Sequence, residues 1–288
     1  MKSSSQLFPV TLFKADFWEG YSEDVYLLKP NNSPDKTAEF AVTRLGHPDV
    51  CRNGLSRGEP VILLHGLYEN RTVWMYEQHE MLCQLLNAGA DVWIMEMRGH
   101  GLSKVNHDSR QNHWRNYARY DLPALQQFIR EQNPARQTWL AREQGAVSLL
   151  LALEYGLLDK QSEDRFFVTR LGDLLRRDFP GLILARSLFN RKSRFIPAGR
   201  NEYESRLAIK QIWRQKSWFT GPKSLDGKTP LLKSMQQNPL SNLFYLSDMN
   251  DPHQRKLISR AGFTVVEEKA FSEALLVSLI TNPVHKVG

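Results

Sequence analysis

The chain has 288 residues, of which 41% are apolar and 10% aromatic, and carries a formal net charge of +7. This excludes a disordered chain and suffices for one large α/β core, with or without an insertion. No apolar run reaches the roughly 18 residues of a membrane-spanning helix.

The N-terminus, MKSSSQLFPVTLFKADF, has no sustained apolar stretch and no small-residue cleavage site, so no secretory leader is expected. Cys51 and Cys83 make no disulfide framework and show no metal-ligand spacing. The expectation is a reducing, cytoplasmic location, with no cofactor and no metal. The basic residues gather between Arg176 and Arg200, including Arg186, Arg191, Lys192 and Arg194. No helix-turn-helix, zinc-finger or RNP pattern accompanies them, so nucleic acid is not an expected partner. Contact with an anionic membrane surface stays open as a reading of the charge.

Along the chain, NNSPDK (31–36) has turn chemistry, and CRNGLSRGEP (51–60) reads as a polar loop. PVILLHG (60–66) is a continuous apolar run of the kind buried on both faces of a parallel sheet. Trp74, Met81, Leu82, Leu85 and Leu86 then follow at helical spacing, with Gly89 as a stop signal. DVWIMEMRG (91–99) predicts a second strand. YARYDLPALQQFIREQ (117–132) predicts an amphipathic helix with Pro123 near its first turn or kinking it. RQTWLA predicts a third strand and Gln144 to Leu158 a third helix. Such alternation implies a doubly wound, mostly parallel sheet. RFFVTRLG reads as a further strand, and YESRLAIKQIWRQKSWF (203–219) as helix. Strands resume with NLFYLSD (242–248) and FTVVEEK (263–269).

Four stretches in this order resemble the α/β-hydrolase superfamily, in particular its lipase and esterase branch: PVILLHG, DVWIMEMRGHGLS, YARYDLPA and TWLAREQG. The resemblance implies an α/β-hydrolase core over residues 1–160 and 236–288, with a helical cap inserted at 161–235. It also implies an oxyanion-hole region of His65, Gly66, Leu67 and Gln144. TWLAREQG lies where the family has its nucleophile elbow, G-x-S-x-G. Glu143 then holds the serine position, with Ala141 and Gly145 at the flanking small positions. The acid position falls on Asp248, with Asp251 as the alternative, and the histidine position on Phe271.

A serine hydroxyl needs a base, and the base an orienting carboxylate. Losing serine or histidine alone costs about 10⁶ in turnover. Acyl-enzyme chemistry is therefore expected to be absent. Haloalkane dehalogenases and epoxide hydrolases of this fold use an elbow aspartate. Glutamate is a methylene longer, and a misplacement of about 1 Å costs about 10²-fold. An active hydrolase using Glu143 or a relocated histidine is the alternative reading, with His65, His100, His253 and His285 the imidazoles available. Ser103 and Ser148 are the nearby hydroxyls, neither with a base beside it in sequence. A buried carboxylate requires partners. Those expected for Glu143 are Arg142, Arg98, His65 and the amides of Leu67 and Gln144, so that the carboxylate plugs the oxyanion hole. Phe179, Leu182, Phe189, Phe195, Ile212, Trp213, Trp218 and Phe219 pack the cap or line an apolar site. The resulting expectation is a disarmed hydrolase that binds a hydrophobic acyl-type ligand or a protein partner.

Overall fold

A computed structural model describes residues 7–48, 58–161, 163–171, 195–197, 202–207, 209–210, 222–240, 242–247 and 258–267. Nine strands form one sheet: β1 (Val10–Trp18), β2 (Tyr21–Leu28), β3 (Phe40–Gly46), β4 (Pro60–Leu64), β5 (Asp91–Glu96), β6 (Thr138–Arg142), β7 (Arg165–Thr169), β10 (Leu243–Ser247) and β11 (Thr264–Glu267). Their order is β1-β2-β3-β5-β4-β6-β7-β10-β11. A separate antiparallel pair joins β8 (Phe195–Pro197) to β9 (Tyr203–Ser205).

From β5 across to β11 all pairs are parallel. The interior strands explain why. All five residues of β4 are buried, and successive side chains go to opposite faces. Ile62 and Leu64 join one core with Trp93, Trp139 and Phe166; Val61 and Leu63 join another with Ile94 and Leu140. A sheet apolar on both faces needs helices on both. Helix α1 (His79–Asn87) covers the Val61 face through Met81, Leu82, Leu85 and Leu86. Helices α2 (Leu122–Gln132) and α3 (Glu143–Glu154) cover the other. Gly89 (φ 85°) and Gly156 (φ 63°) follow α1 and α3 in the left-handed conformation that suits glycine. Pro123 sits in the first turn of α2, just after a π-helical stretch that has already shifted the backbone ladder. A π-helical stretch, Tyr117–Asp121, precedes it within the single helix expected from the sequence.

Three differences from the sequence reading follow. The sheet carries an antiparallel flank, β1–β3, beyond the strands expected from the sequence; β1 pairs with β2 through the two-residue turn Glu19–Gly20. Tyr203–Ser205 is a strand where helix is expected, and helical residues begin only at 206. Strand β7 lies within the main sheet between β6 and β10, so the core extends through Thr169 rather than ending at 160. Its Phe166, Phe167 and Val168 are buried, which keeps it in the core. Helix α4 (Leu231–Gln237) also packs Leu231 and Met235 into that core. Most of the expected cap and its basic and aromatic residues lie outside the described residues. Among the described residues, no helix is long and apolar enough to cross a membrane.

Candidate functional site

Strand β6 ends in extended backbone at Arg142, and α3 begins at once with Glu143 at φ 43°. A left-handed glutamate costs roughly 1–2 kcal/mol, and such outliers gather at functional turns. The turn survives because its neighbours are small. Ala141 is buried beside its β4 partner Leu64. A Cβ on Gly145 would stand 2.6 Å from the His65 carbonyl oxygen and 3.0 Å from Leu64 Cβ. Any larger residue there would push α3 off β4.

The loop after β4 faces this elbow. Three successive backbone amides in it donate to three different carboxylates. Gly66 N donates to Glu69 Oε2 at 2.8 Å, Leu67 N to Glu143 Oε2 at 3.2 Å, and Tyr68 N to Glu204 Oε1 at 3.0 Å. Tyr68 adopts φ 56°, so the loop forms a concave run of N–H groups suited to anions. Each carboxylate also meets a cation. Arg142 lies 3.0 Å from Glu69 Oε1, Arg170 Nε 3.3 Å from Glu143 Oε1, and His100 Nε2 3.0 Å from Glu204 Oε1. Arg142 further lies over the Trp74 ring at 5.6 Å. Burial, and then the charge of Glu69, push the Glu143 carboxyl above its ordinary value, against the pull of Arg170 and the Leu67 amide.

Of the partners expected for Glu143, only the Leu67 amide makes a described hydrogen bond to it. Arg142 pairs with Glu69 instead. Arg98 is fully buried against Asp121, Nε to Oδ2 at 2.7 Å, with its second nitrogen on Oδ1. His65 is spent on backbone: Met97 N donates to its Nε2 at 2.9 Å, and Nδ1 donates to the Gly66 carbonyl at 2.8 Å. That fixes the neutral tautomer. Burial and the neighbouring His100 hold it down to about 3. The Gln144 side chain is buried, and neither its oxygen nor its nitrogen has a hydrogen-bond partner among the described residues. Ser148 donates to Gln144 O one turn back, and Ser103 donates to Glu96 O while accepting from Ala41 N. Both hydroxyls are structural. Asp248, Asp251, Phe271, His253 and His285 lie outside the described residues.

Four site residues escape the sequence reading: Glu69, Arg170, Glu202 and Glu204. Glu202 Oε1 accepts from Asn70 Nδ2 at 2.6 Å and Gly101 N at 2.8 Å, while Ser205 Oγ donates to Asn112 O at 2.5 Å. The β9 segment is thus fastened across the loops after β4 and β5.

His100 donates from both ring nitrogens, to Glu204 and to the Arg98 carbonyl at 3.2 Å, so it is an imidazolium. Burial opposes that charge, but Glu204 outweighs it and brings His100 up to about 9. A folded value above the unfolded value of about 6.5 stabilises the protein fully below about pH 6.5. The contribution disappears as pH rises through about 9. The urea midpoint is expected to fall between pH 7 and 10, with a smaller fall in His100→Gln. An equal fall in both proteins would remove this assignment.

The sheet order, the elbow and the amide loop together define an α/β-hydrolase fold. The family model described as "alpha/beta hydrolase fold" matches residues 59–141, which run from β4 through the loops to β6. Two solved structures are similar over nearly the whole chain. One is a cold-adapted esterase from an Arctic intertidal metagenomic library, at 13% identity and TM-score 0.53, covering 93% of this chain and 97% of the esterase. The other is the peroxisomal α/β-hydrolase Lpx1 of Saccharomyces cerevisiae, at 13% identity and TM-score 0.51, covering 93% and 92%. At such identity the likeness concerns the fold. No curated protein sequence matches significantly.

Proposed function

We propose that this chain is a hydrolase-fold protein that does not carry out acyl transfer and is retained for binding. The observation that carries this reading is the loop Gly66–Tyr68, whose amides are each taken by a carboxylate of the chain itself. Acyl transfer needs such donors free at the point where negative charge develops on the substrate oxygen. With Glu143 on the Leu67 amide, the site holds its own anion in the oxyanion position, as a bound carboxylate product would. In this reading Asp248 keeps the acid position, and Phe271 in the histidine position leaves it no imidazole to orient.

The geometry also weighs against the alternative of an active Glu143. As a nucleophile it would attack through Oε1, whose negative charge is damped by the Arg170 guanidinium 3.3 Å away. Its raised affinity for a proton weakens it further as an anion. Neither described loop histidine is available as a base, since both rings use both nitrogens on fixed partners. The retained role is binding of a hydrophobic acyl-type ligand or a protein partner beneath a cap, in a cytoplasmic setting.

Purified protein is expected to hydrolyse p-nitrophenyl butyrate no faster than buffer, with Glu143→Ala indistinguishable from it. Turnover that disappears in Glu143→Ala would overturn the reading in favour of catalysis at the elbow.

A further inference from the structure

We propose that Glu19, His79 and Cys83 form a binding site for a divalent ion of the zinc class. The cluster shares no residue with the elbow site. It lies where the β1–β2 turn at the outer edge of the sheet meets helix α1. His79 and Cys83 are four residues apart on α1 and so share one face. Glu19 reaches them from the hairpin turn. The His79 Nε2 atom lies 2.6 Å from Glu19 Oε2 and 3.6 Å from Cys83 Sγ, and all three donor atoms fall within 4.8 Å of one another.

The detail that selects a metal is which nitrogen is used. In a thiol–imidazole–carboxylate relay, the two ring nitrogens face different partners, one activating the thiol and the other held by the carboxylate. Here the carboxylate lies on Nε2, while the sulfur lies over the ring, 3.6 Å from Nε2 and 4.0 Å from Nδ1, so neither nitrogen is aimed at the thiol. Three donors of different kinds this close together reach a shared cation once the Cys83 side chain turns toward the Nε2 lone pair. Zinc bonds of roughly 2.3 Å to sulfur and about 2.0–2.1 Å to nitrogen put tetrahedral S and N ligands about 3.6 Å apart. The present spacing of 3.6 Å matches in length, and a turn of the Cys83 side chain brings the sulfur into line with Nε2. The Glu19 oxygen must withdraw from the ring by less than about 1 Å to reach its own ligand distance. Its side chain is exposed enough to do so, with 49% accessible.

The fold holds the donors in place. Trp18 meets the His79 ring edge-on at 5.6 Å, and Cys83 packs partly into the Val61-face core. Glu19 stands at φ 48° before Gly20 at φ 87°. That turn type prefers Asn, Asp or Gly at its first position, so a glutamate there is placed against local preference. Thiolate, imidazole and one carboxylate form a borderline-soft set that favours zinc over magnesium or calcium. Inspecting the two cysteines for a mutual metal-ligand spacing misses this site, because its pattern is H-x₃-C with a distant acid.

Cobalt(II) is the probe. Chelator-stripped protein is expected to take up one Co²⁺ per chain, with tetrahedral d–d bands and a thiolate-to-cobalt charge-transfer band, both displaced by Zn²⁺ and unaffected by Mg²⁺. The charge-transfer band should persist in Cys51→Ser and vanish in Cys83→Ser and His79→Ala. Glu19→Gln should weaken uptake by at least about 10-fold. Absence of stoichiometric uptake by the wild-type chain, or a band that survives Cys83→Ser, would overturn the proposal.

Discussion

Arg98→Met is expected to lower folding stability by about 3–5 kcal/mol, the cost of stranding one member of a buried ion pair. Both Arg98 and Asp121 side chains are wholly inaccessible, and the guanidinium holds both carboxylate oxygens. Methionine matches the bulk of the arginine stem but leaves Asp121 charged and unpaired in the core, or forces it to take up a proton. The pair also has a positional role. Arg98 belongs to the loop after β5, and Asp121 lies where the π-helical stretch passes into α2. The carbonyl of Arg98 accepts from His100 Nδ1 and Asn112 Nδ2, so the loop that carries the His100–Glu204 pair hangs from it. The double variant Arg98→Met/Asp121→Leu should recover most of the loss, because exchanging a whole buried pair for apolar side chains is often neutral or stabilising. Urea unfolding of the two singles and the double measures this. A loss below about 1 kcal/mol in Arg98→Met would mean that the pair is far better solvated than its geometry implies.

The sheet interior is legible because burial on both faces leaves a direct sequence trace. PVILL, VWIM and WLA are continuous apolar runs, each followed by a helical pattern. The antiparallel flank leaves a weaker trace. VTLFKADFW is an edge strand that is mostly exposed, and its turn, Glu-Gly, lacks the Asn or Asp that marks a tight hairpin. The elbow is readable from Gly145, since only glycine tolerates the closeness of the His65 carbonyl. Its charge partners are not. Glu204 lies 136 residues from the amide of Tyr68 that it accepts from, and periodicity carries no record of such a contact. Arg170 owes its position to a left-handed backbone just past β7, which nothing in RFFVTRLG announces. Conversely Arg142, the neighbour in sequence, is drawn to Glu69 rather than to Glu143 because it ends β6, where side chains alternate between faces.

Glu143→Ser combined with Phe271→His is expected to raise p-nitrophenyl acetate turnover by about 10³-fold or more over the wild-type chain. The serine substitution acts in two ways at once. It places a hydroxyl on a turn already held in the left-handed conformation by its small neighbours. It also withdraws the carboxylate from Leu67 N, freeing that amide for a substrate oxyanion. The histidine supplies the base that a hydroxyl requires, and on the proposed assignment Asp248 orients it. Because the triad acts as a unit, neither single change should rise measurably above wild type. Adding Asp248→Asn to the double should remove most of the gain, whereas Asp251→Asn should not. The discriminating comparison is the double against its two singles. A double variant no faster than either would show that serine and histidine have been set in seats that do not face each other.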